Sequence, residues 1–228
     1  MSVQIEAVFF DIDGTLVDSN SQHVLAWEEA FAAIGEHFDR QRIHDQIGKG
    51  TDMLVPTLLP TLAGEAVERL GEAHGRIFKA EYLTAIRPFD QAHALLAHVA
   101  ACGIQVVLAS SAGQEELDHY ITLLDARDLV AATTSSDDVK HTKPAPDIFA
   151  SALEKIGRTA ETVIIVGDTP YDVEAAVKCG IAAVAVRSGG FSSASLSAAG
   201  AIALYDDVAA LLAGYDESPI ARSAPFVD

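Results

Sequence analysis

The sequence contains little cysteine and few basic residues. Its 228 residues include 2 cysteines, and 15 lysines and arginines stand against 33 aspartates and glutamates. Cys102 and Cys179 form neither a Cys-x-x-Cys pair nor a metal-binding spacing. We therefore expect two buried, reduced thiols, as is usual in proteins of the reducing cytoplasm.

The formal net charge of −18 argues against two classes of partner. A strongly acidic surface repels the backbone of nucleic acids and the anionic face of membranes. No apolar run approaches the roughly 20 residues that cross a bilayer, and residues 1–10 lack the basic start of a secretory signal. We expect a cytoplasmic protein without nucleic-acid or membrane partners, which binds a small anionic metabolite only where local cations offset its charge.

Short apolar runs recur along the chain and predict buried strands. They do not alternate with polar residues, which is typical of parallel strands covered on both faces. The runs are residues 5–10, 104–109, 163–166, 181–186 and 201–204. Helices are predicted between them, at 89–101, 114–124, 146–156, 170–178 and 206–213. Strands that alternate with helices predict an α/β fold, with a Rossmann-like parallel sheet flanked by helices.

Residues 19–86 interrupt this alternation, because they contain no convincing strand. Amphipathic helices are predicted there at 19–34, 39–46, 51–58 and 65–83. We therefore expect an α/β core formed by residues 1–17 and 87–228, with an all-helical domain inserted at 18–86. Two other segments are predicted to lack regular structure, a small-residue loop at 188–200 and a mobile tail at 216–228.

Two carboxylates directly follow the first predicted strand. Asp11 and Asp13 are two positions apart, so in an extended chain they point to the same side. Open α/β sheets bind their ligands at this end of their strands. Gly14 allows a sharp turn that brings backbone N–H groups close to the same place. An Asp-rich turn that only caps a helix would explain this pair if it stood alone.

A second pair of carboxylates extends the pattern. Asp168 ends the run at 163–166, and Asp172 follows one helical turn later. Asp168 would also serve as the N-cap of a helix that Pro170 opens. Four carboxylates at one sheet edge repel one another strongly. Mg²⁺ offsets such repulsion, because it binds carboxylate oxygens and keeps its other positions for waters and phosphate oxygens.

Two further segments supply groups that bind anions. Lys143 precedes a Pro-x-Pro turn, where an ammonium group would neutralise a carboxylate and hold a phosphoryl oxygen. Ser110 and Ser111 follow the strand at 104–109 and precede a helix whose N-terminal N–H groups favour anions. Taken alone, a surface lysine and a helix N-cap explain these residues equally well.

In this order, the four segments resemble the motifs of the haloacid dehalogenase-like superfamily of phosphohydrolases. "DIDGT" (11–15) is similar to the first motif, Ser110 to the second, Lys143 to the third and "GDTPYD" (167–172) to the fourth. The resemblance extends over the whole chain and implies that the insertion is a helical cap of the family's first type. True dehalogenases lack an acid at the position of Asp13 and need no metal, so the resemblance implies a phosphotransfer enzyme.

The resemblance also implies a role for each matching residue. Asp11 would attack phosphorus to form an aspartyl-phosphate, and Asp13 would protonate the leaving oxygen and later deprotonate water. Mg²⁺ would be bound by Asp11, by the backbone carbonyl of Asp13 and by Asp168, with Asp172 as an outer partner or beside Lys143. The phosphoryl oxygens would be held by Gly14, Ser110, Ser111 and Lys143.

The start of the cap, "SNSQHVLAWEEAFAAIG" (19–35), is similar to the β-phosphoglucomutase-like branch and its sugar-phosphatase relatives. His23 and Trp27 share one helix face. His23 is either a neighbour of the cap core or a residue that lies over the nucleophile and senses the substrate. Lys49 either contacts the distal part of the substrate or is a loop charge without a role.

Three functions fit the pattern to different degrees. A phosphosugar mutase typically has a cap-loop arginine for a second phosphate and a Glu-Asp pair in its fourth motif. This chain has Lys49 and no arginine at 47–54, and it has Gly167 before Asp168. Hydrolysis of a small phosphomonoester, of the sugar phosphate or phosphoglycolate type, is therefore favoured. A phospho-accepting regulatory module is shorter and lacks the inserted helices.

Overall fold

The computed structural model describes residues 4–222, which form a six-stranded parallel sheet flanked by helices. The strands lie in the order β3-β2-β1-β4-β5-β6. They are β1 (Ala7–Phe10), β2 (Gln105–Ala109), β3 (Val130–Thr134), β4 (Val163–Gly167), β5 (Ala182–Val186) and β6 (Ala203–Tyr205). The predicted α/β fold is confirmed, although β3 was not among the predicted strands. Its sequence VAATT is half-polar, and it pairs only with β2 at the sheet edge, where burial is incomplete.

Helices cover both faces of the sheet and fill the segment that follows β1. They are α1 (Asn20–Ala32), α2 (Arg40–His44), α3 (Thr51–Leu58), α4 (Glu65–Ile77), α5 (Ala92–Ala101), α6 (Gln114–Leu123), α7 (Asp147–Ile156), α8 (Pro170–Lys178), α9 (Ser193–Ala199), α10 (Val208–Ala213) and α11 (Pro219–Arg222). A π-helical turn, Phe78–Tyr82, and a 3-10 turn, Leu83–Ala85, follow α4, where the sequence predicted continuous α-helix to residue 83.

Two segments predicted to be irregular contain helices. Helix α9 lies within the predicted loop 188–200, because Ser192 caps it and Leu196 is buried. Helix α11 lies within the predicted tail, and Ile220 and Ser218 are buried there, so the prediction is wrong for residues 216–222. The rest of that tail, 223–228, lies outside the described residues.

The sheet is apolar on both faces because alternate residues of each strand enter different clusters. Val8 and Phe10 of β1 belong to one hydrophobic cluster, and Ala7 and Phe9 belong to the other. This arrangement explains the uninterrupted apolar runs in the sequence. It also leaves the carboxyl ends of the strands as the edge where polar side chains collect.

The helical segment, defined here as residues 20–85, has its own hydrophobic cluster. Its buried members include Trp27, Phe31, Ile43, Leu54 and Leu70. The two connections to the sheet run side by side: the amide of Asp18 donates to the carbonyl of Arg87 at 3.0 Å, and that of Phe89 donates to the carbonyl of Leu16 at 2.9 Å.

Two sequence expectations concern solvent and membrane contact. Both cysteines are free thiols, but Cys102 is exposed and Cys179 is half-buried, so the prediction of two buried thiols is wrong. Each cysteine directly follows the last helical residue, of α5 or of α8, where side chains face outward. Among residues 4–222, every helix is too short or too polar to cross a bilayer.

Candidate active site

Three polar residues follow three adjacent strands at one edge of the sheet. Asp11 follows β1, Ser110 follows β2 and Asp168 follows β4. Strand β1 lies between β2 and β4, so the chain leaves the centre of the sheet in both directions from this point. Open α/β sheets form their ligand-binding crevice at such a switch point. The topology therefore brings together residues that are up to 157 positions apart, as Asp11 and Asp168 are.

Lys143 lies buried between two carboxylates. Its Nζ is 2.5 Å from Asp11 Oδ1 and 2.7 Å from Asp172 Oδ1, and it also donates to the carbonyl of Ala109 at 2.9 Å. Burial alone would lower the pKa of Lys143, but Asp11 and Asp172 raise it above its ordinary value. The side chain is therefore a fixed ammonium group beside Asp11.

Asp172 is itself fixed by the start of α8. Thr169 is the N-cap of that helix, and its hydroxyl donates to Asp172 Oδ2 at 2.7 Å. The amide of Asp172 donates back to Thr169 Oγ1 at 3.2 Å, which completes a capping box. The N-cap alternative considered for Asp168 is therefore wrong, and Asp168 is left free to face the crevice.

Asp168 is fully buried and accepts two neutral hydrogen bonds. Thr15 Oγ1 donates to its Oδ1 at 3.0 Å, and Asn20 Nδ2 donates to its Oδ2 at 3.0 Å. Burial raises the pKa of Asp168 well above 3.8, and the neighbouring carboxylates of Asp11 and Asp172 raise it further. The site thus holds a carboxylate that is desolvated without a cation of its own.

Two glycines allow the backbone to approach Asp168 closely. Gly14 has φ +78°, and a Cβ at this position would lie 2.3 Å from Asp168 Oδ2. A Cβ at Gly189 would lie 1.6 Å from the same oxygen. Neither position therefore accepts a side chain while Asp168 keeps its place.

The buried carboxylates fit a hard divalent cation. Asp11, Asp168 and Asp172 each present an oxygen within 4.8 Å of the others. Thr15 Oγ1 reaches Asp11 Oδ2 at 3.3 Å as well as Asp168, so these two carboxylates converge on one hydroxyl. Burial raises the pKa of Asp11 to about 7, although Lys143 opposes the rise. A cation with oxygen ligands would relieve this accumulation of negative charge.

The carboxylate of Asp13 faces a different set of partners. Its Oδ1 accepts a hydrogen bond from Ser19 Oγ at 2.6 Å and lies 3.1 Å from His23 Nε2. Burial alone would raise the pKa of Asp13, but His23 and Ser19 hold it below its ordinary value. Burial would likewise lower the pKa of His23, and Asp13 raises it. Asp13 and His23 therefore form an ion pair in which the imidazole holds the proton.

His23 also belongs to a stack of rings in the helical segment. Its ring lies 3.8 Å from that of Phe78 with an interplanar angle of 8°, and its Nδ1 is 3.4 Å from His74 Nε2. His74 stacks on Trp27 at 4.1 Å. Burial and the charge of His23 hold the pKa of His74 well below 6.5, so His74 is neutral and accepts from His23. His23 is buried, so it is not a surface neighbour of the helical core; it contacts the acid next to the proposed nucleophile, and its role toward a substrate stays a prediction.

The remaining predicted residues lie around the same crevice with different orientations. Ser110 is buried, and its Oγ accepts from the amide of Ala112 at 3.0 Å. Ser111 Oγ donates to the carbonyl of Gly48 at 3.1 Å.

Lys49 Nζ donates to Gln46 Oε1 at 2.6 Å and lies 4.5 Å from the ring centre of Tyr171. In this conformation, the ammonium group of Lys49 is therefore engaged within its own loop and with α8.

The sequence did not single out several residues that complete the crevice. Thr15 and Asn20 orient Asp168, and His74 orients His23. Glu116, in the first turn of α6, lies 3.6 Å from His23 Nε2. Burial raises the pKa of Glu116 to about 7, although His23 opposes the rise. The hydroxyl directly after Gly14 was an available signal for Thr15, whereas no local pattern indicates that Glu116 or His74 faces this place.

A cavity of about 200 Å³ lies between the sheet edge and the helical segment, and Asp11 and Asp13 line it. Ligand pockets typically have ~300–1,000 Å³, so this one is small.

Direct contacts between the helical segment and the α/β core close the cavity. The carboxylate of Asp52 accepts hydrogen bonds from both the amide and the hydroxyl of Thr142. Thr142 Oγ1 in turn accepts a hydrogen bond from the amide of Gly50 at 2.9 Å. Lys79 Nζ lies 2.6 Å from Glu115 Oε2. The helical segment is therefore closed over the strand ends.

Three known proteins resemble this chain over most of its length. Phosphoglycolate phosphatase of Rhodospirillum rubrum is 28% identical over 215 residues, which cover 90% of this chain and 89% of that protein. Protein CbbY of Cereibacter sphaeroides is 28% identical over 233 residues, which cover 95% of this chain and 100% of that protein. The crystal structure of a hydrolase from Pseudomonas syringae is 31% identical with a TM-score of 0.87, covering 95% of this chain and 99% of that one.

The pattern of haloacid dehalogenase-like hydrolases matches residues 8–186. This range includes the four segments that carry Asp11, Ser110, Lys143 and Asp168. The chain therefore belongs to the haloacid dehalogenase-like hydrolase family.

Proposed function

We propose that this chain is a magnesium-dependent phosphatase, which hydrolyses a small phosphomonoester of the sugar phosphate or phosphoglycolate type through a phosphorylated Asp11. One observation carries the proposal: Asp11 lines the closed cavity with the ammonium group of Lys143 beside it, and Asp13 lines the same cavity. The names of the relatives support it, because one is a phosphoglycolate phosphatase.

In the first step, a carboxylate oxygen of Asp11 forms a bond to phosphorus and the bond from phosphorus to the ester oxygen breaks. The Asp13–His23 pair supplies the proton to the departing oxygen, since His23 Nε2 lies 3.1 Å from Asp13 Oδ1 and its pKa is raised. Lys143, Ser110 and Ser111, with the N–H groups near Gly14, stabilise negative charge on the phosphoryl oxygens.

In the second step, Asp13 accepts a proton from a water molecule whose oxygen attacks phosphorus. The bond between phosphorus and Asp11 breaks, so inorganic phosphate leaves and the Asp11 carboxylate is regenerated. The same acid therefore acts in both steps, and the chain returns to its starting protonation state.

Mg²⁺ would be held by Asp11, by the backbone carbonyl of Asp13 and by Asp168, and it would supply positive charge to the transferred phosphoryl group. The convergence of Asp11 and Asp168 on Thr15 supports this choice of ligands. Asp172 would act as the outer partner that fixes Lys143, which its 2.7 Å contact supports.

Residues 18–86 would act as a cap that opens to admit substrate and closes to exclude water. The separate hydrophobic cluster of the helical segment supports this division, with the α/β core at 1–17 and 87–228. The side-by-side connections support hinges near 16–19 and 86–89. We also propose a cytoplasmic location, on the sequence argument from cysteine content.

A phosphosugar mutase is the alternative, and the release of phosphate distinguishes the two. We expect net phosphate release from a panel of phosphorylated metabolites with Mg²⁺ and none after chelation with EDTA. Asp11→Asn should lower turnover by at least roughly 10³-fold, because an amide cannot attack phosphorus. Asp128→Asn, which removes an exposed carboxylate, should leave turnover unchanged. Equal turnover by the Asp11 and Asp128 variants, or indifference to EDTA, would contradict the proposal.

A second measurement tests the covalent step directly. The wild-type chain, quenched with acid during turnover, should gain the mass of one phosphoryl group on the peptide that contains Asp11. Asp13→Asn should slow both the formation and the hydrolysis of this species, since it cannot carry the proton. Wild-type rates in Asp13→Asn would remove Asp13 from the mechanism.

A further inference from the structure

One part of the cavity wall, defined here by five of the lining residues, consists of groups that would contact the leaving group of the substrate. This wall is formed by Trp27, Ile47, Lys49, His74 and Glu116. Its chemistry therefore sets which leaving groups the cavity accepts, provided that the proposed phosphatase function is correct.

Glu116 places a second carboxylate close to Asp13 on this wall. Its side chain is 12% exposed, its Oε1 accepts from the hydroxyl of Tyr120 at 3.3 Å, and the same oxygen lies 3.6 Å from His23 Nε2. Asp13 lies 3.1 Å from that same imidazole nitrogen. One imidazolium therefore lies beside two carboxylates, and above about pH 7, where Glu116 is ionised, these three groups together carry net negative charge.

The cationic groups near this wall do not offset that charge. Lys49 is the lone lysine or arginine among the described residues that line the cavity. Its ammonium group donates to Gln46 and faces the ring of Tyr171, and burial lowers its pKa. His74 is neutral and is occupied by His23 and Trp27. A carboxylate or a second phosphate placed beside Glu116 would therefore meet like charge, while the ammonium group of Lys49 is engaged with Gln46 and Tyr171.

We propose that Glu116 determines specificity by excluding leaving groups that carry negative charge, so that the substrate is the phosphate ester of a small, uncharged, hydroxyl-bearing alcohol. Like charges brought together across a binding surface oppose binding. A hydroxyl group, in contrast, donates a hydrogen bond to a carboxylate such as Glu116. The cavity of about 200 Å³ limits the alcohol to a small one.

Two esters of matched shape test this assignment. In 2-phosphoglycolate a carboxylate occupies the position of the CH₂OH group of 2-hydroxyethyl phosphate. The full chain is assayed with Mg²⁺ at about pH 8, where Glu116 is charged because its pKa is about 7. We expect kcat/KM to be at least about tenfold higher for 2-hydroxyethyl phosphate, which corresponds to 1.4 kcal/mol of discrimination. An equal or higher kcat/KM for 2-phosphoglycolate overturns the inference without any variant.

Glu116→Gln keeps the shape of the side chain and removes its charge. We expect it to lower the ratio of kcat/KM between the two esters by about tenfold. Glu154→Gln is the control, because Glu154 is exposed on α7 and does not line the cavity, so its loss should leave the ratio unchanged. An identical ratio in the two variants overturns the role of Glu116.

Phosphate release from the panel of phosphorylated metabolites separates failure of this inference from failure of the phosphatase function. If the wild-type chain with Mg²⁺ releases phosphate from neither of the two esters and from no member of the panel, the proposed function itself is wrong, and the specificity assignment is wrong with it. If it releases phosphate but prefers 2-phosphoglycolate, the specificity assignment alone is wrong.

Discussion

The ammonium nitrogen of Lys143 lies 2.5 Å from the carboxylate of Asp11 and is completely buried there. Asp172, at 2.7 Å, completes a row of two carboxylates and one cation in the interior. Removing the cation would leave two desolvated carboxylates facing each other. This relationship couples the proposed nucleophile to the stability of the fold.

Lys143→Met should therefore destabilise the chain strongly. Loss of one partner from a buried charge pair typically costs ~3–5 kcal/mol. Lys155→Met is the matched control, because Lys155 pairs with Asp138 at the surface, where such pairs contribute ~0–1 kcal/mol. Urea unfolding of both variants with and without Mg²⁺ measures the difference. Equal free energies of unfolding in the two variants would show that Lys143 is not essential to the fold.

Gly14→Ala should cost both stability and activity. A residue with a side chain at φ +78° is strained by ~1–2 kcal/mol, and overpacking against Asp168 adds ~1–3 kcal/mol. Gly35→Ala isolates the strain, since Gly35 has φ +82° and no atom lies within 4 Å of the place that its new methyl group would take. We expect phosphate release to fall only in the Gly14 variant. Loss of activity in both variants would point to a general defect.

The stability of the metal-free chain should fall as pH rises. Asp168 has a folded-state pKa well above 3.8, so between the two values the folded chain retains a proton that the unfolded chain has released. The free energy of unfolding therefore decreases with pH in this window. Chemical unfolding in EDTA from about pH 5 to about pH 8 measures the slope, and Asp168→Asn should flatten it while Asp128→Asn does not.

Added Mg²⁺ should stabilise the folded chain more at the upper end of this pH range. A ligand that binds only the folded chain raises the free energy of unfolding by RT ln(1 + [L]/Kd), and ionised carboxylates bind the cation better than protonated ones do. A shift of the melting midpoint by Mg²⁺ that is equal at both ends of the pH range, or absent, would contradict the assignment of Asp168 as a ligand.

Thr142→Val should weaken closure of the helical segment. The substitution keeps the shape of Thr142 but removes the hydroxyl that links it to Gly50 and Asp52. We expect kcat/KM for a phosphomonoester to fall about tenfold, equivalent to one or two lost hydrogen bonds. Thr122→Val removes an exposed hydroxyl that bonds only within α6, and it should have no such effect. The fluorescence of Trp27, the only tryptophan, can follow closure in both variants.

The strands and the strand-end residues were predictable because their causes are local. Apolar runs mark strands covered on both faces, and Asp11 and Asp168 directly follow such runs. Strand β3 was missed because an edge strand of alanine and threonine carries little of this signal.

Glu116 and His74 were missed for another reason: each meets His23 only through packing between helices that are remote in sequence. The orientation of Lys49 toward Tyr171 likewise depends on how the loop between α2 and α3 meets α8.

The antiparallel contact of Val17 with Pro88 brings the two ends of the helical segment to one point on the scaffold. An insertion attached in this way places no demand on the register of the strands around it. Its length and most of its side chains can therefore diverge, provided that Ser19, Asn20 and His23 keep their contacts with Asp13 and Asp168. Grafting residues 18–86 from a relative that carries these three residues would accordingly be a direct route to a new substrate preference.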